Sequence, residues 1–177
     1  MTRVLFLHGL EGSPQGDKPT RLRSLAGVEV TAPALPTGPL QVFRQANPRA
    51  SIPPDLVQPS LRLARDALGA CRPDVVVGSS FGGGVALFLA FTRAWSGPLV
   101  LLAPAGAKVL APGGLPARDG RVLVVHGRRD EVVPLDDSLA LARESACEVA
   151  VWLVDDEHRL NTSVASGLLE RALTAVR

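Results

Sequence analysis

Val75-Val76-Val77-Gly78-Ser79-Ser80-Phe81-Gly82-Gly83-Gly84 is the stretch on which the reading of the fold turns. Three β-branched residues lead into it as a buried strand. Val85-Ala86-Leu87-Phe88-Leu89-Ala90-Phe91, apolar nearly all round, leaves it as a buried helix. Within the turn, Gly78-Ser79-Ser80-Phe81-Gly82 fits the spacing G-x-S-x-G. A nucleophile on so sharp a strand-to-helix turn sits in a strained backbone conformation. Side chains two places before and after it would collide with the neighbouring strand and helix. Gly78 and Gly82 flank Ser80 in this way, and Ser79 has no such pair, so the spacing singles out Ser80. The helix behind Phe81 points its first N–H groups at the turn, which favours negative charge there. A phosphate-binding loop would need G-x-x-x-x-G-K-[ST] or G-x-G-x-x-G, and neither spacing is present.

Outward from this turn, short β-type runs recur at Val4–Leu7, Val28–Thr31, Leu99–Leu102, Val122–Val125 and Val149–Val154. Most are continuously apolar, which suits strands covered on both faces. Helical periodicity lies between them: Leu61, Ala64 and Leu68 form one stripe, and Ser138–Ser145 and Ser166–Val176 are further amphipathic segments. Strand and helix alternate, the pattern of an α/β fold with a parallel sheet and helices on both faces. The exception is Thr31–Pro59. With seven prolines and few periodic apolar positions, it reads as a long, fixed loop that leans over a site or runs free on the surface.

Composition narrows the function. At 177 residues, residues 1–177 read as one domain with a sizeable core. A formal charge of +2, with basic residues scattered along the chain, excludes a nucleic-acid-binding footprint. Positive charge is mostly Arg, with Lys only at Lys18 and Lys108. Cys71 and Cys147 lack CxxC spacing and read as free thiols. Met1-Thr2-Arg3 runs straight into Val4–Leu7 without signal-peptide features, and no apolar run approaches membrane-spanning length. A cytoplasmic protein without membrane partners is the expectation. Three scattered histidines give no metal cluster, and no nucleotide or flavin fingerprint appears, so no cofactor is expected.

In a parallel sheet the functional loops follow the strand C-termini. Four such loops here carry polar residues: His8–Ser13, Gly78–Gly82, His126–Asp130 and Asp155–His158. A serine hydroxyl needs a base, and the base an orienting acid. His8 and His126 each precede a glycine at a strand end and read as residues that buttress turns. His158 stands on the polar loop before the last helix, free to swing toward Ser80. The order Ser80, Asp130, His158, each after its own strand, assembles all three at one sheet edge. Glu131, Asp155 and Asp156 are rivals for the acid.

With these motifs in order, the chain resembles the α/β-hydrolase superfamily over nearly its whole length. The segment Leu5-Phe6-Leu7-His8-Gly9-Leu10-Glu11-Gly12-Ser13-Pro14, with Lys18 beyond it, is more particularly similar to the small YqiA-type bacterial esterases. The resemblance implies Ser80 as nucleophile, His158 as general base and Asp130 as the acid that fixes its tautomer. It implies an oxyanion hole formed by the backbone N–H groups of Leu10 and Phe81. It also implies a three-layer α/β/α sandwich of six parallel strands in the order 2-1-3-4-5-6. The fifty positions from Ser80 to Asp130 must hold a strand and its loop, which leaves no room for a cap. The expected activity is hydrolysis of a small ester or thioester. A non-catalytic ligand-binding protein on the same fold, and a peptidase or amidase with the same three residues, are the alternatives. Arg128 and Arg129 read either as binders of an acidic group or as surface ion-pair residues. Oligomeric state is left open.

Overall fold

A computed structural model describes every residue except Pro48, Arg49 and Ser51. Its six strands are β1 (Thr2–Leu7), β2 (Val28–Thr31), β3 (Val75–Ser79), β4 (Leu99–Leu102), β5 (Val122–Gly127) and β6 (Val149–Val154). All neighbours pair in parallel, in the order β2-β1-β3-β4-β5-β6. The order therefore reverses between β1 and β3, the place where a doubly wound sheet opens a crevice.

The pleat sorts each strand's side chains into two cores. Leu5, Leu7, Val76, Leu99, Leu101, Val122 and Val124 face one layer. That layer holds α2 (Gly38–Ala46), α3 (Pro54–Cys71), α4 (Phe81–Phe91), α5 (Ala107–Leu110) and α6 (Leu135–Glu144), whose Leu40, Leu61, Val85, Ala107 and Leu141 pack against it. Val4, Phe6, Val75, Val77, Val100, Leu102, Leu123 and Val125 face the other. There α1 (Asp17–Arg23), α7 (Asn161–Ala165) and α8 (Leu168–Val176) contribute Leu22, Val164, Leu169 and Leu173. Because β3, β4 and β5 are buried from end to end, alternation in polarity is absent from their sequences. The result is the expected three-layer α/β/α sandwich, and no helical cap stands among the described residues.

The segment from Thr31 to Pro59 corrects the expectation of a loop. It contains α2 and the first residues of α3. Pro39 and Pro54 lie in the first turns of these helices, where a proline's missing N–H breaks no helical bond. Only Pro59 falls inside a helix. α2 buries Leu40 alone, so its apolar periodicity is too thin to read from sequence. Three positions of this segment (48, 49 and 51) lie outside the described residues.

Candidate active site

The turn after β3 is as tight as its glycines require. Ser80 has φ 53° and ψ −116°, a left-handed conformation that side-chain-bearing residues rarely adopt. Its N–H donates to Leu102 O at 2.8 Å, while its carbonyl accepts from Gly84 N–H at 3.1 Å and Ala105 N–H at 3.0 Å. A Cβ added at Gly82 would stand 2.1 Å from the Leu7 carbonyl oxygen, and one at Gly78 would stand 2.5 Å from the Gly82 carbonyl oxygen. α4 can therefore approach the backbone of β1 only because Gly82 lacks a side chain, and lie against β3 only because Gly78 does.

The strained serine is aimed along a hydrogen-bonded line. Ser80 Oγ lies 2.9 Å from His158 Nε2, and His158 Nδ1 lies 2.8 Å from Asp130 Oδ2. The carboxylate can only accept, so Nδ1 carries the ring proton and Nε2 is left to accept from the hydroxyl. Asp130 Oδ1 takes the N–H groups of Val132 at 2.8 Å and Val133 at 2.9 Å. Burial raises the Asp130 carboxyl, but the donors from Val133, His158 and Val132 outweigh it and hold the group below its ordinary value. Asp130 is thus an anion with a buried side chain beside a partly open imidazole.

The rival carboxylates are occupied elsewhere. Asp156, also buried, accepts Glu157 N–H at 2.9 Å and Ser163 N–H at 2.7 Å. Asp155 pairs with Arg129, and Glu131 is exposed. Among the described residues, Asp130 is the one carboxylate bonded to His158. Arg129 is thereby an ion-pair residue, and the Arg128 and Arg129 N–H groups donate to Val154 O at 2.8 Å and Asp156 O at 3.0 Å. These bonds lace the loop of Asp130 to the loop of His158. Lys18 ties the latter from the other side, with Nζ 2.7 Å from Arg159 O.

The His8–Ser13 loop approaches from β1. Gly9 lies against the elbow: a Cβ there would be 3.3 Å from Ser80 Cβ and 3.9 Å from its Oγ. The buried His8 accepts Leu35 N–H on Nε2 at 2.9 Å, so Nδ1 bears the proton and donates to Gly9 O at 2.8 Å. Gly12 N–H also donates to Gly9 O, at 3.0 Å. Since the peptide is trans, pinning that carbonyl turns the Leu10 N–H to the opposite side. Gln41 of α2 holds the Leu10 carbonyl through its side-chain amide. Among the described residues neither Leu10 N–H nor Phe81 N–H has an intramolecular acceptor. Sequence reasoning missed Leu35 and Gln41, because both lie in the proline-rich segment.

Elsewhere, both cysteines are free, and burial pushes both thiols up. A shallow cleft of about 400 Å³ lined by Arg3, Glu29, Thr31 and Cys71 opens beside the first half of β1 and contains none of the residues above. No described helix is long and apolar enough to cross a membrane.

Sheet order, crevice and elbow together define the fold of the α/β-hydrolase superfamily. One solved relative by structure is a putative hydrolase of that superfamily from Xanthomonas campestris pv. campestris. It is 27% identical, has a TM-score of 0.72, and matches over 99% of this chain and 98% of its own. A structure described with LipS and LipT, two metagenome-derived lipolytic enzymes, matches at 20% identity and TM-score 0.70 over 99% and 93%. An α/β serine hydrolase homologue from Coxiella burnetii matches at 16% and 0.71 over 99% and 85%. No protein-family model matches the sequence, and no curated protein matches it.

Proposed function

We propose that this protein is a serine hydrolase that cleaves small esters or thioesters through an acyl-enzyme. The observation that carries the reading is the line Ser80 Oγ–His158–Asp130, with bonds of 2.9 and 2.8 Å, next to two unclaimed backbone N–H groups. Its solved neighbours, hydrolases and lipolytic enzymes by description, support the same class. In the first half-reaction Ser80 Oγ attacks the acyl carbon while His158 Nε2 takes the hydroxyl proton. The carbonyl π electrons move to oxygen, where the Leu10 and Phe81 N–H groups receive the developing charge. Donors of this kind contribute roughly 3–4 kcal/mol each to the transition state. Collapse expels the alkoxide or thiolate, which leaves with the proton held on His158. Water then repeats the sequence on the acyl-enzyme and returns Ser80 to its starting state. Asp130 keeps the imidazole in the Nδ1–H tautomer and balances its charge.

A fluorophosphonate should label the native protein at Ser80, as located by mass spectrometry of the digested adduct. Ser80→Ala should abolish both the adduct and turnover of p-nitrophenyl esters. His158→Ala should cost about as much, and Asp130→Asn about 10⁴-fold in kcat. Labelling elsewhere than Ser80, or persisting in Ser80→Ala, would overturn the reading.

A further inference from the structure

His126 lies on the other side of Asp130 from His158 and has no part in the steps above. It is the next-to-last residue of β5 and is wholly buried. Its Nδ1 is 2.8 Å from Ser138 Oγ on α6. Its Nε2 is 3.0 Å from Val133 O and 3.3 Å from Asp130 Oδ2. A carbonyl only accepts, so Nε2 carries a proton. Ser138 Oγ is also buried, and among the described residues its hydrogen has no acceptor other than Nδ1. The ring is therefore neutral, with its proton on Nε2.

This ring acts on the Asp130 carboxylate in two ways. Val133 gives its N–H to Asp130 Oδ1 at 2.9 Å and its carbonyl to His126, so ring and carboxylate grip one residue from both sides. The Nε2–H dipole also lies beside Oδ2, the oxygen that binds the His158 proton. Positive potential at Oδ2 competes with His158 for that oxygen and so disfavours the imidazolium. Resting on the hydrolase reading, we propose that His126 is a positioning residue that fixes the plane of Asp130 and sets the pH at which His158 loses its ability to accept the serine proton.

The other charges around this pair are held by partners or face solvent. In the loop after β5, Arg129 pairs with Asp155 and Glu131 faces solvent. In the loop after β6, Asp156 is bonded to backbone N–H groups, Glu157 is exposed, and Arg159 pairs with Glu11 of the β1 loop. From α1, Lys18 Nζ donates to the Arg159 carbonyl. On α6, Asp137 pairs with Lys108, and Asp136 is its neighbour in the first turn. None of these interactions uses an atom of His126.

The test starts from protein shown to be labelled at Ser80, because absence of that label refutes the hydrolase reading and not this inference. His126→Gln can return an N–H donor to the Val133 carbonyl, whereas His126→Asn reaches only toward Ser138. Both keep a polar side chain of similar size, so the comparison stands even where His126→Leu does not fold. In His126→Asn, kcat should fall by at least about 10-fold, well short of the ~10⁴-fold of losing the acid. The acid limb of kcat/KM should move up by roughly half a unit to one unit, with KM nearly unchanged. His126→Gln should recover most of both effects. In the wild type, imidazole ¹⁵N NMR at neutral pH should find His126 protonated on Nε2 alone. A charged or Nδ1–H ring in that spectrum overturns the proposal, as does an acid limb unmoved in the folded Asn variant or moved equally in the Asn and Gln variants.

Discussion

At Ser80 the chain passes from strand to helix in one residue, and the left-handed φ of 53° is held by bonds at both its N–H and its carbonyl. Those bonds hold the strain in place, so the elbow's stability depends on neighbours that let it close. Gly82 and Gly9 meet the elbow differently. A methyl at Gly82 would stand 2.1 Å from the Leu7 carbonyl oxygen, which is backbone and cannot step aside. A methyl at Gly9 would meet Ser79 O and Ser80 Cβ, each at 3.3 Å, distances that a shift of a few tenths of an ångström relieves. Gly82→Ala should therefore cost about 3 kcal/mol or more, a fall in Tm of roughly 6–12 °C for a chain of this size. Gly9→Ala should melt within a few degrees of wild type, yet lose ester turnover because its methyl, in van der Waals contact with Ser80 Oγ, narrows the space beside the nucleophile. Thermal melts and p-nitrophenyl acetate assays on both variants check the contrast, and equal melting points would refute it. The need for Gly78 and Gly82 was legible in the sequence from their spacing about Ser80, although the backbone that Gly82 meets, Leu7 of β1, is distant along the chain. That Leu35 and Gln41 hold the His8–Leu10 turn was not, because those contacts cross from one loop to another.

Among the elements, the loops after β5 and β6 behave as one unit. Arg129 N–H reaches Asp156 O, and Gly127 leaves no space for a side chain against that same carbonyl. Asp156 anchors the His158 loop by accepting Glu157 N–H and, on its other oxygen, the Ser163 N–H of α7. Burial raises the Asp156 carboxyl, but the donors from Ser163 and Glu157 prevail and hold it below its ordinary value. A carboxylate lowered on folding stabilises above its unfolded value, about 3.9, and loses that contribution as pH falls through the folded value. Asp156→Asn should thus be less stable than wild type by about 2 kcal/mol at pH 7, and the gap should shrink steadily below pH 4. Urea melts at pH 7, 5 and 3 measure it, and a gap that widens in acid would refute the assignment. The segment from Thr31 to Pro59 shows where element-level reading fails. Prolines at the starts of helices look like breakers when no buried stripe reveals the helix behind them, and α2 buries only Leu40.

For the whole molecule, strand order followed from the family resemblance and from strands apolar on both faces, and the sheet has that order. What the linear sequence could not reveal is which apolar side chains stay outside, since exposure is decided by packing between distant elements. Val42, Val109 and Val132 are 68%, 81% and 69% exposed. They belong to the segments that follow β2, β4 and β5. Val42 adjoins Gln41, which holds Leu10. Val109 bonds to Gly106, next to the Ala105 that holds the Ser80 carbonyl, and Val132 donates to Asp130. On the proposed hydrolase reading, an acyl chain carried by Ser80 would draw its apolar contacts from these exposed valines. Each methylene buried contributes about 0.8 kcal/mol. The two methylenes that separate butyrate from acetate can then raise kcat/KM by up to about 15-fold. Val42→Asp and Val109→Asp should each reduce the butyrate-to-acetate ratio several-fold while leaving acetate turnover and Tm close to wild type, because neither side chain is packed. Parallel assays with p-nitrophenyl acetate and butyrate read the ratio directly. A ratio unchanged in both variants would mean that the acyl group leaves Ser80 by a path that avoids this rim.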